Sequence, residues 1–152
     1  MIRFKEFFQQ QDNMIEEKGD IKQTLAKLPP SHAALVKGFR WKFHGGNTLN
    51  GDDEHVGYMD DHSKEIAVAA PWNYGREFTI LHEVGHKVWE RFVQPKPELV
   101  KNWTEIVART KNKQKQSPEE LFCHAYANNY TKNKIVIHDH PEWKQFINSL
   151  PQ

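Results

Sequence analysis

Apolar positions recur along this chain with two different periods. Phe4, Phe7, Phe8, Met14 and Ile15 fall at near-helical spacing and predict a helix within residues 2–17. Gly19-Asp20 interrupts it, and Ile21 to Leu28 reads as a second short helix ended by Pro29-Pro30. Ser31 is placed to cap a further turn over His32 to Lys37. The period then shortens to two. Phe39, Trp41 and Phe43 alternate with Arg40, Lys42 and His44, as in a half-buried strand. After a loop from Gly45 to Asp53, His55 to Met59 reads as a strand, Asp60 to Ser63 as a turn, and Lys64 to Ala70 as its hairpin partner. Helical spacing returns beyond Pro71. Asn73 is a candidate cap, and Phe78, Leu81, Val84, Val88 and Phe92 step by three and four from about Gly75 to Phe92. Pro95 and Pro97 end that helix. Another follows from Glu98 to Arg109, with Leu99, Trp103, Ile106 and Val107 on one side. A polar, basic loop occupies 110–117. Ser117-Pro118-Glu119-Glu120 has the chemistry of a helix start, running to Tyr130, and Pro141 opens a last helix carrying Trp143, Phe146, Ile147 and Leu150. Helices, then three strands, then helices predict an α+β fold.

At 152 residues the chain is expected to form one domain over 1–152, with a helical N-terminal part (1–37) and a core (38–150). Hydrophobic residues make up 38% and the mean hydropathy is −0.82, yet 12% aromatics argue against disorder. Cys123 stands alone, so no internal disulfide framework is available. A net charge of +1 excludes a strongly basic nucleic-acid binder. No stretch approaches the ~20 apolar residues of a membrane span, and the charged opening Met1 to Phe8 is unlike a secretory signal. Neither nucleic-acid nor membrane partners are expected, and the expected location is cytoplasmic.

Nine histidines change the picture, because two of them form His82-Glu83-Val84-Gly85-His86, an H-E-x-x-H pattern. Residues i and i+4 share a helix face, so both imidazoles can meet one Zn²⁺ at roughly 2.0–2.1 Å. Glu83 lies about 100° around the helix. Its carboxylate falls beside the ion, where it can take a proton from the ion's bound water. Three protein ligands and an open position are usual for catalytic zinc. The H-x-x-G-x-x-H continuation is missing, since Trp89 and Phe92 occupy it. The favoured third ligand is Glu120, on the helix that Ser117 opens. His124, one turn on, is an alternative ligand or a partner behind the ligands, and Glu119 is a weaker choice.

The segment Thr79 to His86, followed by Glu120-Leu121-Phe122-Cys123-His124-Ala125-Tyr126, resembles the catalytic domain of anthrax lethal factor and the related Pro-Pro endopeptidases, over roughly residues 55–150. The tail from Trp143 to Ser149 is also similar. The resemblance implies a zincin-like fold, a zinc cofactor held by His82, His86 and Glu120, Glu83 as general base, and a peptide or protein substrate. It puts His124 where the family has a second Glu. The family's oxyanion-stabilising Tyr has no counterpart, because residues 111–116 hold only Lys, Asn and Gln. Candidates for that role are Lys113, Tyr126, Tyr130, His124 and His138. The strand Ile66, Ala67, Val68, Ala69 is expected to be the sheet edge that pairs with extended substrate, its small residues leaving room.

Other features read as structure. His138-Asp139-His140-Pro141 reads as a polar turn before a helix in preference to a second metal site, Asp52-Asp53-Glu54 is solvated, Cys123 is small packing, and the Phe4/Phe7/Phe8 face is core or a partner surface. The function expected is zinc-dependent endopeptidase. The alternative is a catalytically weak or inactive zincin-fold binding or assembly module, phage-encoded by a loose similarity of the opening segment to tailed-phage proteins.

Overall fold

The structure, a computed structural model, describes residues 21–44, 57–69, 75–110, 116–132, 134–135 and 138–152. The expected helix within 2–17, the loop after Gly45, His55, the Asn73 cap, Asp52 to Glu54 and Lys113 lie outside the described residues.

Residues 21–26 are helical, and a single turn α1 (Pro30–Ala33) runs into a tight 3₁₀ turn, Ala34–Val36. Ser31 does not cap this turn. Pro29 holds the cap position with no side-chain bond, because Pro30 already presets the first helical φ and leaves no N–H to satisfy. Gly38, at φ +85°, then turns the chain into the sheet.

The sheet has three strands among the described residues: β1 (Arg40–His44), β2 (Gly57–Asp60) and β3 (Glu65–Ala69), in the order β1-β3-β2. β2 and β3 form the expected antiparallel hairpin, with Asp60 opposite Glu65. Its turn is held by Asp60 Oδ1, which accepts from the backbone N–H groups of His62 (3.0 Å) and Ser63 (3.3 Å). Lys64 closes it at φ +55°. β1 runs parallel to β3, Trp41 opposite Ile66. The expectation of β3 as a free edge is therefore corrected: both sides of Ile66, Ala67, Val68 and Ala69 are taken by protein strands, and β3 has no spare backbone groups for an added chain.

α2 (Gly75–Val88) carries the H-E-x-x-H residues and buries Phe78, Leu81, Val84 and Val88. The expected helix to Phe92 changes pitch at its end. Trp89–Val93 is a π-helical turn, closed by Gln94 N–H donating to the Trp89 carbonyl at 2.8 Å. This wide turn keeps both Trp89 and Val93 in the core before Pro95 stops the helix. α3 (Pro97–Arg109), α4 (Pro118–Tyr130) and α5 (Pro141–Asn148) follow where the sequence places them, except that α5 ends before Leu150. Each begins on a proline, which costs nothing at a position whose N–H is unpaired in any helix.

The core lies between α2 and the C-terminal helices. Trp103 is fully buried against Phe122, Trp143 and Phe146, with ring centroids 5.1–5.6 Å apart. Its indole N–H donates to the Pro118 carbonyl at 2.7 Å, tying α3 to the start of α4. α4 packs along α2. The described residues thus form a mixed α/β unit of helices around one small sheet, compatible with the α+β class.

Candidate metal centre

Two helices build the centre, and one glycine sets their separation. A Cβ on Gly85 would stand 3.1 Å from Cys123 Cα and 3.4 Å from Tyr126 Cβ, so the glycine lets α4 lie against the H-E-x-x-H turn. Ser117 fixes the register from the other side. Its Oγ accepts the backbone N–H of Glu120 at 3.2 Å, capping α4 and holding Glu120 in the first turn.

The result is a carboxylate poised between two imidazoles. Glu120 Oε2 lies 3.1 Å from His82 Nε2, and Oε1 lies 3.0 Å from His86 Nε2. The two rings meet edge to face, with centroids 5.0 Å apart. In a tetrahedral set with bonds of roughly 2.0–2.1 Å, donor atoms stand about 3.3 Å apart; the Glu120 contacts are on that scale one by one, each through a different carboxylate oxygen. His82 is buried, at 7% exposure, while His86 is half-buried. Behind His86, the Glu119 carboxylate lies 3.4 Å from Nδ1. A carboxylate there fixes the ring's tautomer and leaves Nε2 as the free donor. Sequence reading ranks Glu119 as a weak ligand and misses this orienting place. The signal is its position one residue before Glu120, which puts it on the neighbouring flank of α4.

Glu83 is buried, at 2% exposure, with Oε1 3.6 Å from His82 Nδ1. It lines a cleft of about 300 Å³ with Met59, Asp61, His86, Glu90 and Glu119. The cleft therefore runs from Glu83 and His86 to the β2–β3 hairpin.

Charge in the cluster favours a cation. Burial opposes a charged His82, yet the Glu120 and Glu83 carboxylates outweigh it and hold the imidazole's pKa up at about 9. Burial likewise opposes the Glu120 carboxylate, and the two imidazoles hold its pKa far below the usual range. His86 is raised against burial, chiefly by Glu120. A group of anions that retains protons on its imidazoles is one in which a divalent ion can replace those protons.

His124 extends the row of rings. Its centroid lies 4.9 Å from that of His82 and 4.6 Å from that of His138, with which it stacks at 12°. Burial, with the nearby His82 and His138, lowers its pKa to about 3, so it is neutral. His82, Glu120 and His124 offer donor atoms all within 4.8 Å of one another, as do His82, His86 and Cys123. His138, expected in a polar turn before the last helix, does precede that helix but faces inward. It is buried, 2% exposed, stacked on His124 and Phe78. His140 sits on Trp143, centroids 4.3 Å apart.

Tyr126 is drawn elsewhere. It is fully buried, and its hydroxyl lies 2.9 Å from Nδ1 of His32, whose Nε2 lies 2.6 Å from the Pro151 carbonyl. The carbonyl can only accept, so Nε2 carries the proton and Nδ1 accepts from the Tyr126 hydroxyl. The expectation that Tyr126 could stabilise an oxyanion is thereby corrected: the phenol's proton is committed to the core histidine. Tyr130 packs on Tyr126 at 5.0 Å.

These groups are close enough to bind a metal ion. No helix among the described residues is long and apolar enough to cross a membrane. No family model, curated protein or solved structure matches this chain, so the functional reading stands on the His82, Glu83, His86 and Glu120 geometry itself.

Proposed function

We propose that this chain is a zinc-dependent endopeptidase of the zincin type. The observation that carries the reading is the Glu120 carboxylate 3.1 and 3.0 Å from the two Nε2 atoms of one H-E-x-x-H turn, with Glu83 buried alongside. His82, His86 and Glu120 would hold the ion. When bound, Zn²⁺ supplies Lewis acidity towards a carbonyl and brings the pKa of a water ligand to about 7.

The chain's own residues account for the proton transfers. Glu83 takes the proton of the attacking water and returns it to the leaving amine. Its burial keeps the carboxylate out of bulk solvent and close to His82. Glu119 keeps His86 oriented. The substrate is an extended peptide or an unfolded protein segment. Because β3 is the central strand, the substrate-pairing edge is β2, which among the described residues pairs only with β3 and whose Met59 opens onto the cleft.

The test is cleavage of a library of extended peptides by the zinc-loaded protein, read by mass spectrometry. Wild type should cut, and Glu83→Gln should keep its zinc while turnover falls by about 10²–10⁴-fold, the usual worth of a general base. A protein with full zinc occupancy and no cleavage of any peptide would instead support a binding or assembly module. One observation favours that second reading: the Tyr126 hydroxyl faces His32 in the core.

A further inference from the structure

A sulfur stands on the protein side of the two imidazoles. Cys123 lies three residues after Glu120, on the wall of α4 that meets Gly85. It is fully buried. Its Sγ and ring nitrogens of both His82 and His86 all lie within 4.8 Å of one another. The other ring nitrogen of His82, the one turned to Glu83 and away from Glu120, is held loosely. Nδ1 of His82, a residue only 7% exposed, has no hydrogen-bond partner, and even Glu83 is 3.6 Å away. Buried polar atoms are normally paired, so an orphan in a cluster of donors calls for an explanation.

We propose that Cys123 is itself a metal ligand, its thiolate joining His82 and His86 from the buried side while Glu120 closes the shell from the cleft. This rests on the metal-binding part of the reading above and is independent of peptidase turnover. Binding breaks the S–H bond, forms the sulfur–metal bond and sends the proton to solvent. Coordination removes the thiol proton outright. A set of two imidazoles, one thiolate and one carboxylate favours Zn²⁺ and softer ions over Mg²⁺, Ca²⁺ or Mn²⁺. Zinc also expands to five ligands in catalytic sites, so the sulfur does not close the cleft side to chemistry.

The experiment is titration of the full chain with Co²⁺ in place of Zn²⁺, followed by absorption. Wild type should show visible ligand-field bands together with an intense near-ultraviolet sulfur-to-cobalt band. Cys123→Ala should keep the ligand-field bands, lose the near-ultraviolet band and bind Co²⁺ more weakly, by about tenfold or more on the scale of lost ligand-shell contacts. Cys123→Ser, of nearly the same volume, guards against a packing effect, and thermal melts of both variants report folding. Identical near-ultraviolet spectra for wild type and folded variants would overturn the sulfur ligand and leave the histidine–carboxylate site intact. No cobalt bands in wild type would overturn both.

Discussion

At Gly85 the motif helix meets α4 without a side chain between them, and small changes there should be felt. Alanine brings about 1 kcal/mol of helix propensity, against about 1–3 kcal/mol for forcing extra volume into a packed contact. The atom it would meet is backbone, Cys123 Cα at 3.1 Å, which cannot rotate away. Gly85→Ala should therefore lower stability by up to about 2 kcal/mol, read as a lower urea midpoint. It should also weaken metal binding, because His86 is the next residue and moves with the helix. The two glutamates of α4 divide their work by the same logic. Glu120 meets both Nε2 atoms, and Glu119 stands behind one ring. Adjacent residues on a helix point about 100° apart, so one acid can reach the position proposed for the ion and the other can stand behind a ring.

At the scale of elements, the centre exists because α4 starts at one defined residue. Ser117→Ala removes the acceptor for the Glu120 N–H and should cost about 1 kcal/mol, with faster hydrogen exchange in the first turn of α4. Metal affinity should fall with it, while Ser117→Asp, which caps equally well, should restore both. Since the proposed ligands come from two helices, the ion would act as a clamp between α2 and α4. Loading at 100 times the dissociation constant should add about 2.7 kcal/mol of stability, which chelation removes. A calorimetric scan with and without chelator checks this, and a Tm that ignores the chelator would contradict an ion at this place. The sheet supplies the counter-example. A hydrophobic strand beside the motif helix reads from sequence as an edge, but β1 lies against its far side and makes it central.

In the molecule as a whole, His32 ties distant parts of the chain together, joining the turn of α1 to α4 through Tyr126 and to the C-terminus through Pro151. Burial lowers its pKa below the ordinary 6.5. The unfolded state then binds more protons below about pH 6.5, so this contribution is complete above that pH and is lost as the pH falls towards the folded-state value. The His32 share of the urea midpoint should drop between about pH 7.5 and about pH 5.5, opposite in sign to the share of His82, whose raised pKa adds stability as the pH falls. In His32→Gln the drop should be smaller, and stability at the higher pH lower by about 1–3 kcal/mol, because the Tyr126 hydroxyl loses its designed acceptor. Much of this architecture was legible beforehand. Period-two and period-3.6 patterns place β1, the hairpin and helices α2 to α5, because those periods follow from local backbone geometry and need no distant partner. The His82 and His86 pair is local in the same sense, four residues on one helix. Sequence alone thus determined which elements form and which helix turn presents paired imidazoles. Only the tertiary structure decided that β3 is central, that Tyr126 belongs to His32, that His138 is buried, and that Glu119, Glu120 and Cys123 gather around that turn. Each of those depends on which residues far apart in the chain come into contact, and that is settled by packing of whole elements, not by spacing along one of them.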